Sequence, residues 1–322
     1  MSRAAQSIPV IDLSASPASV GAALLDAYER IGFAQVIGHG VPAEIIADAF
    51  EASARFHSLP NAQKAAIALD RNHRGWIADG TAVDRSSEVV VATKPNRSES
   101  FMMMREDAPD SAEVRAGTPM AGANQWPALP GFREAAVACH DAMRDVALGV
   151  MRLIDDALGA EGWIVTSLEV PTTWFRMLHY PAVSAGTPVD QFGSAPHTDF
   201  GGITFVAQDT TGGLQVAQTD GSWIDVEPIE GAFVMNAGSM LHRWSNGRLL
   251  ATPHRVDNRS GRERYSCVLF CDPHMNAIVE PVPTCVPAGE VPKFEPVRFA
   301  DVVAHHLGAI YSQHGAAQHG AV

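Results

Sequence analysis

At 322 residues, with 46% of them apolar and 18% charged, the chain is long enough to bury a large core, and its composition is that of a globular rather than a disordered or fibrous protein. A net charge of −13 leaves no Lys/Arg surplus to neutralise phosphates, so no nucleic-acid partner is expected. No stretch approaches the roughly 20 apolar residues of a membrane span, and “MSRAAQSIPVIDLS” lacks the apolar centre of a signal peptide; a cytoplasmic chain with no membrane partner is expected.

In chain order, “IPVIDLS” (Ile8 to Ser14) alternates as a short strand does, and Pro17 then opens a helix with Val20, Leu24, Tyr28 and Ile31 on one face. “GFAQVIGHGVP” reads as strand then turn. A second helix spaces Ile46, Ala49, Phe50 and Phe56 helically and stops at Pro60. Residues 70–128 read as irregular chain with short strands, including “SEVVVATKPNRSESFMMMRED”, and loops that long usually serve a site. The longest amphipathic pattern runs from Phe132 through Cys139, Met143 and Val150 to Leu158, with Gly159 where a C-terminal cap belongs.

From about residue 172 the pattern changes to short β-type runs between Gly, Pro, Asn and Asp: “WFRMLHY”, “GITFVAQ”, “GLQVAQ”, “WIDVEP”, “AFVMNAG”, “PHRVDN” and “YSCVLFC”. Such spacing predicts an antiparallel sandwich or jelly roll. “QTDGSW” and “NRSGRER” read as turns between neighbouring strands. The expected fold class is mainly β with flanking helices, and no linker or repeat divides it. Cys139, Cys267, Cys271 and Cys285 form no CxxC pair and are expected as buried thiols rather than disulfides or a zinc knuckle.

Within the strand-rich half, “APHTDFGGITFV” places His197 and Asp199 two positions apart, hence on one face of a strand. A facial triad needs one more nitrogen ligand. His254 in “ATPHRV” opens a strand able to return alongside the first, while His242, in the turn-like “SMLHRWSNG”, is the competing third ligand. Two histidines and one carboxylate on one face of an octahedron leave three positions open, the arrangement of non-haem Fe(II) oxygenases. Arg264 and Ser266 in “RERYSCVLF” again share one strand face. An arginine pointing into a barrel needs an anion, and its planar guanidinium suits a carboxylate.

These motifs, in this order, resemble the Fe(II)/2-oxoglutarate-dependent dioxygenases of the isopenicillin N synthase-like group. The resemblance covers nearly the whole chain, through “IPVIDLS”, “IGFAQVIGHGVP”, “LPGFREA”, “FRMLHYP”, “HTDFGGIT”, “GGLQV”, “FVMNAG”, “SNGRLLATPHRV” and “RERYSCVLFCDP”. It implies a double-stranded β-helix (jelly-roll) core in a single domain over 1–322: a helical and loop cap over about 1–130, a bracing helix over about 131–171, the core with the metal site over about 172–285, and a C-terminal helix and tail over about 286–322. It implies iron binding by His197, Asp199 and His254, and capture of the distal carboxylate of 2-oxoglutarate by Arg264 and Ser266. Tyr180 matches a position that often hydrogen-bonds the cosubstrate. Asn236 and Arg176 fall on positions that line the site or support barrel geometry, and Phe200 and Phe270 on strand positions facing the pocket in relatives. Gly38 stands where relatives commonly have asparagine.

The implied reaction consumes O2, decarboxylates 2-oxoglutarate to succinate and CO2, and hydroxylates a small molecule bound beside the metal. Desaturation and ring closure are variants. A 2-oxoglutarate-independent oxidase of the isopenicillin N synthase type, ethylene-forming fragmentation of 2-oxoglutarate and a non-catalytic binding protein are the alternatives, the last disfavoured because the whole motif set is present. The chain is expected to act as a monomer or weak homo-oligomer. Among the loop residues expected to close the pocket, Arg74, Trp76, Arg97 and the run Met102 to Met104 stand out. The arginines suit either a substrate carboxylate or a surface ion pair. The methionines suit either an adaptable pocket wall or a plain strand core. His305, His306, His314 and His319 are spaced too irregularly to replace the barrel triad.

Overall fold

The structure is a computed structural model that describes residues 7–82, 94–183, 186–188 and 190–311; residues 83–93 of the long loop, and His314 and His319, lie outside the described residues. The first part runs β1 (Val10–Asp12), α1 (Pro17–Arg30), β2 (Phe33–Ile37), α2 (Ala43–His57), α3 (Asn61–Lys64), β3 (Gly75–Ile77), β4 (Glu99–Met104) and α4 (Ala112–Arg115). The long α5 (Phe132–Leu158) and one-turn α6 (Trp163–Thr166) lead into β5 (Thr172–Tyr180), β6 (Ser194–His197), β7 (Ile203–Gln208), β8 (Leu214–Ala217), β9 (Trp223–Asp225) and β10 (Phe233–Ala237). Then come α7 (Ser239–Trp244), β11 (His254–Val256), β12 (Arg264–Asp272), β13 (Ile278–Val279), β14 (Val297–Arg298) and α8 (Phe299–Tyr311).

The local signals act as expected. Ser16 caps α1 by accepting the Ser19 amide, and Pro17 supplies the preset φ of the first turn. α5 ends at Gly159 in the left-handed region (φ 63°), so its last carbonyls are capped without a Cβ penalty. One stripe of α5, from Phe132 through Ala136, Met143, Ala147 and Ile154, is fully buried in the core.

Two sheets form the jelly roll. Eight strands lie in the order β1-β2-β10-β7-β12-β5-β4-β3, and four in the order β6-β11-β8-β9. The N-terminal part does more than cap: β1 and β2 extend one edge of the large sheet and β3 and β4 the other. Every residue of β4 is buried, so Met102, Met103 and Met104 are strand core rather than pocket wall. “QTDGSW” is a hairpin turn, with the Ser222 carbonyl accepting the Gln218 amide at 2.8 Å, between the paired β8 and β9. “NRSGRER” is not a turn between neighbours. It carries the chain from β11 in the small sheet to β12 in the large one. All four cysteines are free, and Cys139, Cys267 and Cys271 are buried.

Candidate metal and cosubstrate site

β11 pairs antiparallel with β6, and the register sets His254 directly opposite His197. Their rings lie 4.3 Å apart between centres. Asp199 is not on the strand with His197, as alternation had predicted: β6 ends at His197, and the following loop brings the carboxylate to the two rings. Asp199 Oδ1 stands 3.7 Å from His197 Nε2 and 3.9 Å from His254 Nε2. Among the described residues this is the one His/Cys/Asp/Glu group whose ligand atoms all lie within 4.8 Å of one another.

Each member is oriented by a partner behind it. His197 Nδ1 lies 2.8 Å from the Ala195 carbonyl and His254 Nδ1 lies 3.3 Å from that of Thr252. A carbonyl there places the proton on Nδ1 and turns the Nε2 lone pair toward a metal. Asp199 Oδ2 accepts hydrogen bonds from Thr204 Oγ1 at 2.5 Å and Asn236 Nδ2 at 2.7 Å, so Oδ1 is the oxygen presented to the rings. Burial opposes ionisation of Asp199, but His254, His197 and these two hydrogen bonds outweigh it and hold the carboxyl below the usual range. The donor set, two imidazole nitrogens and one carboxylate oxygen, fits a divalent transition metal with open positions.

β5 and β12 pair over nine residues, from Arg264 opposite Tyr180 to Asp272 opposite Thr172. The alternation expected for Arg264 and Ser266 therefore holds. Both line the cavity between the sheets, together with Tyr180, the triad, and an apolar wall that includes Val206, Val268 and Phe270. Arg264 is 1% exposed. Its Nε donates to the Gly212 carbonyl at 2.8 Å, Nη2 to Gln208 Oε1 at 3.2 Å and Nη1 to Ser266 Oγ at 3.3 Å, and the guanidinium lies 4.8 Å from the Tyr180 ring centre. These partners are neutral. Among the described residues no carboxylate pairs with this buried cation, an arrangement suited to an anion.

Residues 171–273 match the 2OG-Fe(II) oxygenase superfamily and residues 8–129 the family of the non-haem dioxygenase in morphine synthesis N-terminal. The chain is 34% identical to the 2-oxoglutarate-Fe(II) type oxidoreductase hxnY of Emericella nidulans, over 96% of this chain and 91% of that protein. It belongs to the Fe(II)/2-oxoglutarate-dependent dioxygenases. This dioxygenase is also 33% identical to the homoarginine-6-hydroxylase 2-ODD-233 of Oryza sativa subsp. japonica, over 86% of this chain and 84% of the relative. Its fold matches that of a full-length Neurospora crassa protein solved in complex with alpha-KG and thymine, with TM-score 0.82 and 28% identity over 94% of this chain and 96% of that one. The dioxygenase uses Fe(II), 2-oxoglutarate and O2, and couples consumption of 2-oxoglutarate to oxygenation of a small molecule.

The structure sorts the remaining predicted residues of the dioxygenase. Arg176 and Phe270 line the cavity, and Arg176 Nε donates to Ser100 Oγ at 2.8 Å. Asn236 stands behind Asp199, donating from Nδ2 to its carboxylate at 2.7 Å. Phe200 is in the loop after β6, not on a strand, and stacks on His306 of α8 at 5.0 Å. Arg97 is ion-paired with Asp79 at 3.1 Å and is not part of the cavity wall. Trp76 is in the core, donating from Nε1 to Glu99 at 2.8 Å. Arg74, 0% exposed, is neither a surface ion pair nor a substrate clamp: it ties together the Asn72, Arg105, Met120 and Gly122 carbonyls and the Asn124 side chain. His242 faces the Leu249 carbonyl at 2.6 Å and is outside the triad. Thr204 was missed by the sequence reading, although it lies in the same “HTDFGGIT” run.

Proposed function

We propose that His197, Asp199 and His254 are the iron ligands of this dioxygenase, that Arg264 and Ser266 hold the distal carboxylate of 2-oxoglutarate beside Tyr180, and that the reaction is hydroxylation. The observation that carries this reading is one cavity with a three-donor cluster and a buried arginine that, among the described residues, is bonded only to neutral groups. When bound, Fe(II) and 2-oxoglutarate supply the oxidising chemistry, with succinate and CO2 as the coproducts of oxygen transfer from O2. The chain contributes orientation, charge and exclusion of water. Thr204 and Asn236 keep Oδ1 of Asp199 aimed at the metal position. Arg264 fixes one end of the cosubstrate, so its keto-acid end reaches the triad.

Arg176 and Phe270 are the residues we assign to the primary substrate. Among the described residues the Nη groups of Arg176 have no other partner, and they stand beside an aromatic wall. That pair suits a small molecule with a flat apolar face and a hydrogen-bond acceptor or carboxylate at its edge. The complex of the Neurospora crassa protein with thymine supports a ligand of that size. The chain is further read as one dioxygenase domain over 1–322, cytoplasmic, a monomer or weak homo-oligomer, and free of nucleic-acid and membrane partners. The net charge of −13 supports the absence of a nucleic-acid partner, and none of the described helices is long and apolar enough to cross a membrane.

Anaerobic addition of Fe(II) and 2-oxoglutarate is expected to give a weak metal-to-ligand charge-transfer band in the visible, and succinate without ethylene on admission of O2. His197→Ala is expected to abolish the band and Arg264→Ala to weaken it. Iron binding without a band would remove 2-oxoglutarate from Arg264, and ethylene as the main product would replace hydroxylation by fragmentation.

A further inference from the structure

β12 sends every second side chain into the cavity, from Arg264 through Ser266, Val268 and Phe270, and its last residue, Asp272, continues that row. Asp272 is 1% exposed, and among the described residues no Lys, Arg or His pairs with it. Its carboxylate has two donors. Oδ1 accepts the Gly202 amide at 2.8 Å and Oδ2 accepts Trp174 Nε1 at 3.1 Å. Burial pushes its carboxyl up to about 7, with the charge of Asp199 adding to the rise and the Gly202 amide opposing it. An aspartate kept in so unfavourable a place calls for a reason.

The reason is in the loop it touches. The chain from Asp199 to Gly202 is tied on one side to the start of α7: the Ser239 amide donates to the Asp199 carbonyl at 2.8 Å, Met240 to Gly201 at 2.9 Å and Gly238 to Gly202 at 2.9 Å. On the other side stands Asp272, so close that a Cβ at Gly201 would fall 1.8 Å from its Oδ1. A Cβ at Gly238 would likewise meet the Gly201 carbonyl at 2.3 Å. The loop therefore has no room to shift toward either wall.

We propose that Asp272 is a positioning residue for the metal centre: by holding the Gly202 amide it fixes the loop that carries Asp199, and so sets where that carboxylate stands relative to His197 and His254. This rests on the reading of Asp199 as an iron ligand. Asp272 does not touch iron, cosubstrate or substrate; it acts through Gly202 and Asp199. The chemistry of the pair of donors makes the role specific. An asparagine has one oxygen for two N–H groups, so one donor would face its NH2, whereas aspartate accepts both.

The test is anaerobic Fe(II) titration of the full-length chain, followed by the charge-transfer band and the KM for 2-oxoglutarate, on Asp272→Ala, Asp272→Asn, Trp174→Phe, Asp272→Asn/Trp174→Phe and an Asp199→Ala control. Outer partners of metal ligands are typically worth about 10- to 100-fold in affinity. Asp272→Ala is expected to weaken Fe(II) binding in that range while the KM for 2-oxoglutarate stays within about twofold. Asp272→Asn is expected to be intermediate, and the added Trp174→Phe change to restore affinity to that of Trp174→Phe alone, because the single amide oxygen then serves Gly202. Should Asp272→Ala fail to fold, the asparagine pair decides. Lower thermal stability with unchanged Fe(II) affinity in Asp272→Asn makes the residue merely structural and overturns the proposal. Undiminished Fe(II) binding in Asp199→Ala removes the ligand reading itself, and the proposal with it; loss there without loss at position 272 removes the proposal alone.

Discussion

Arg264 shows how much one side chain decides in this site. Its three neutral acceptors on three nitrogens fix the plane of the guanidinium, and a fixed plane is what a two-oxygen carboxylate needs. A lysine keeps the charge and loses the fork. Arg264→Lys is therefore expected to raise the KM for 2-oxoglutarate by about 10- to 100-fold, the equivalent of one charge-assisted hydrogen bond at about 1.5–3 kcal/mol, with Fe(II) affinity unchanged in the same anaerobic titration. A fall in Fe(II) affinity instead would mean that Arg264 supports the triad. Arg264 and Ser266 are legible from sequence because β12 is long and regular, so alternation gives their facing, whereas Tyr180 came only from the family resemblance. Asp272, in the same row, is equally placed by alternation, yet its partners Gly202 and Trp174 lie 70 and 98 residues away, and sequence spacing carries no trace of them. Arg97 and Trp76 failed as pocket residues for the same reason: Asp79 and Glu99 claim them across tertiary contacts.

Elements with strong local signals were the readable ones. Ser16–Pro17, Pro60 and Gly159 mark helix limits by mechanisms that need no tertiary information, and the α1, α2 and α5 patterns follow from them. The stretch 70–128 was expected to contain short strands, and β4 falls within the quoted run; its limits and those of β3 were not readable because a strand buried on both faces shows no alternation, only an apolar run. The crossing at “NRSGRER” was unreadable since a Gly-rich turn looks the same whether it joins neighbours or switches sheets. The role of α5 as a brace yields a prediction at this scale. Met143 is 0% exposed near the middle of the buried stripe. Met143→Ala is expected to lower unfolding free energy by about 2–5 kcal/mol through lost transfer and cavity terms, read as an earlier urea midpoint, while the charge-transfer band keeps its position. A displaced band would show that the helix shapes the site and does not simply cover the sheet.

At the scale of the whole molecule, the face of the large sheet opposite the cavity contains a buried polar group of its own. Glu99 accepts Lys64 Nζ at 2.6 Å, Trp76 Nε1 at 2.8 Å and His179 Nδ1 at 3.0 Å, so the carboxyl is held down at about 2, these hydrogen bonds overcoming the burial that opposes its charge. His57 packs beside it, with its ring 5.5 Å from that of His179, and burial lowers its pKa from 6.5 to about 3 despite the nearby Glu99 charge. Both folded values lie below the unfolded ones, so the unfolded chain takes up these protons first as the solution is acidified. The His57 contribution is fully present above pH 6.5 and is lost as pH falls from there toward 3; that of Glu99 is lost between 4.5 and 2. At pH 5 the histidine alone accounts for about 2 kcal/mol, from 1.36 kcal/mol per pKa unit. Asp272, raised from 3.8 to about 7, takes up its proton in the folded chain first and opposes this loss over the same interval, so thermal or urea unfolding of the metal-free chain is expected to show His57→Gln gaining stability relative to the parent between pH 6.5 and 5, while the steeper loss below pH 4.5 remains. An unchanged slope in His57→Gln would assign the proton uptake to other histidines. The same experiment with Fe(II) and 2-oxoglutarate present separates the two polar centres of the fold. Ligand binding to the triad raises stability by mass action at each pH, but only on the Glu99 side of the sheet does removing His57 change the shape of the curve.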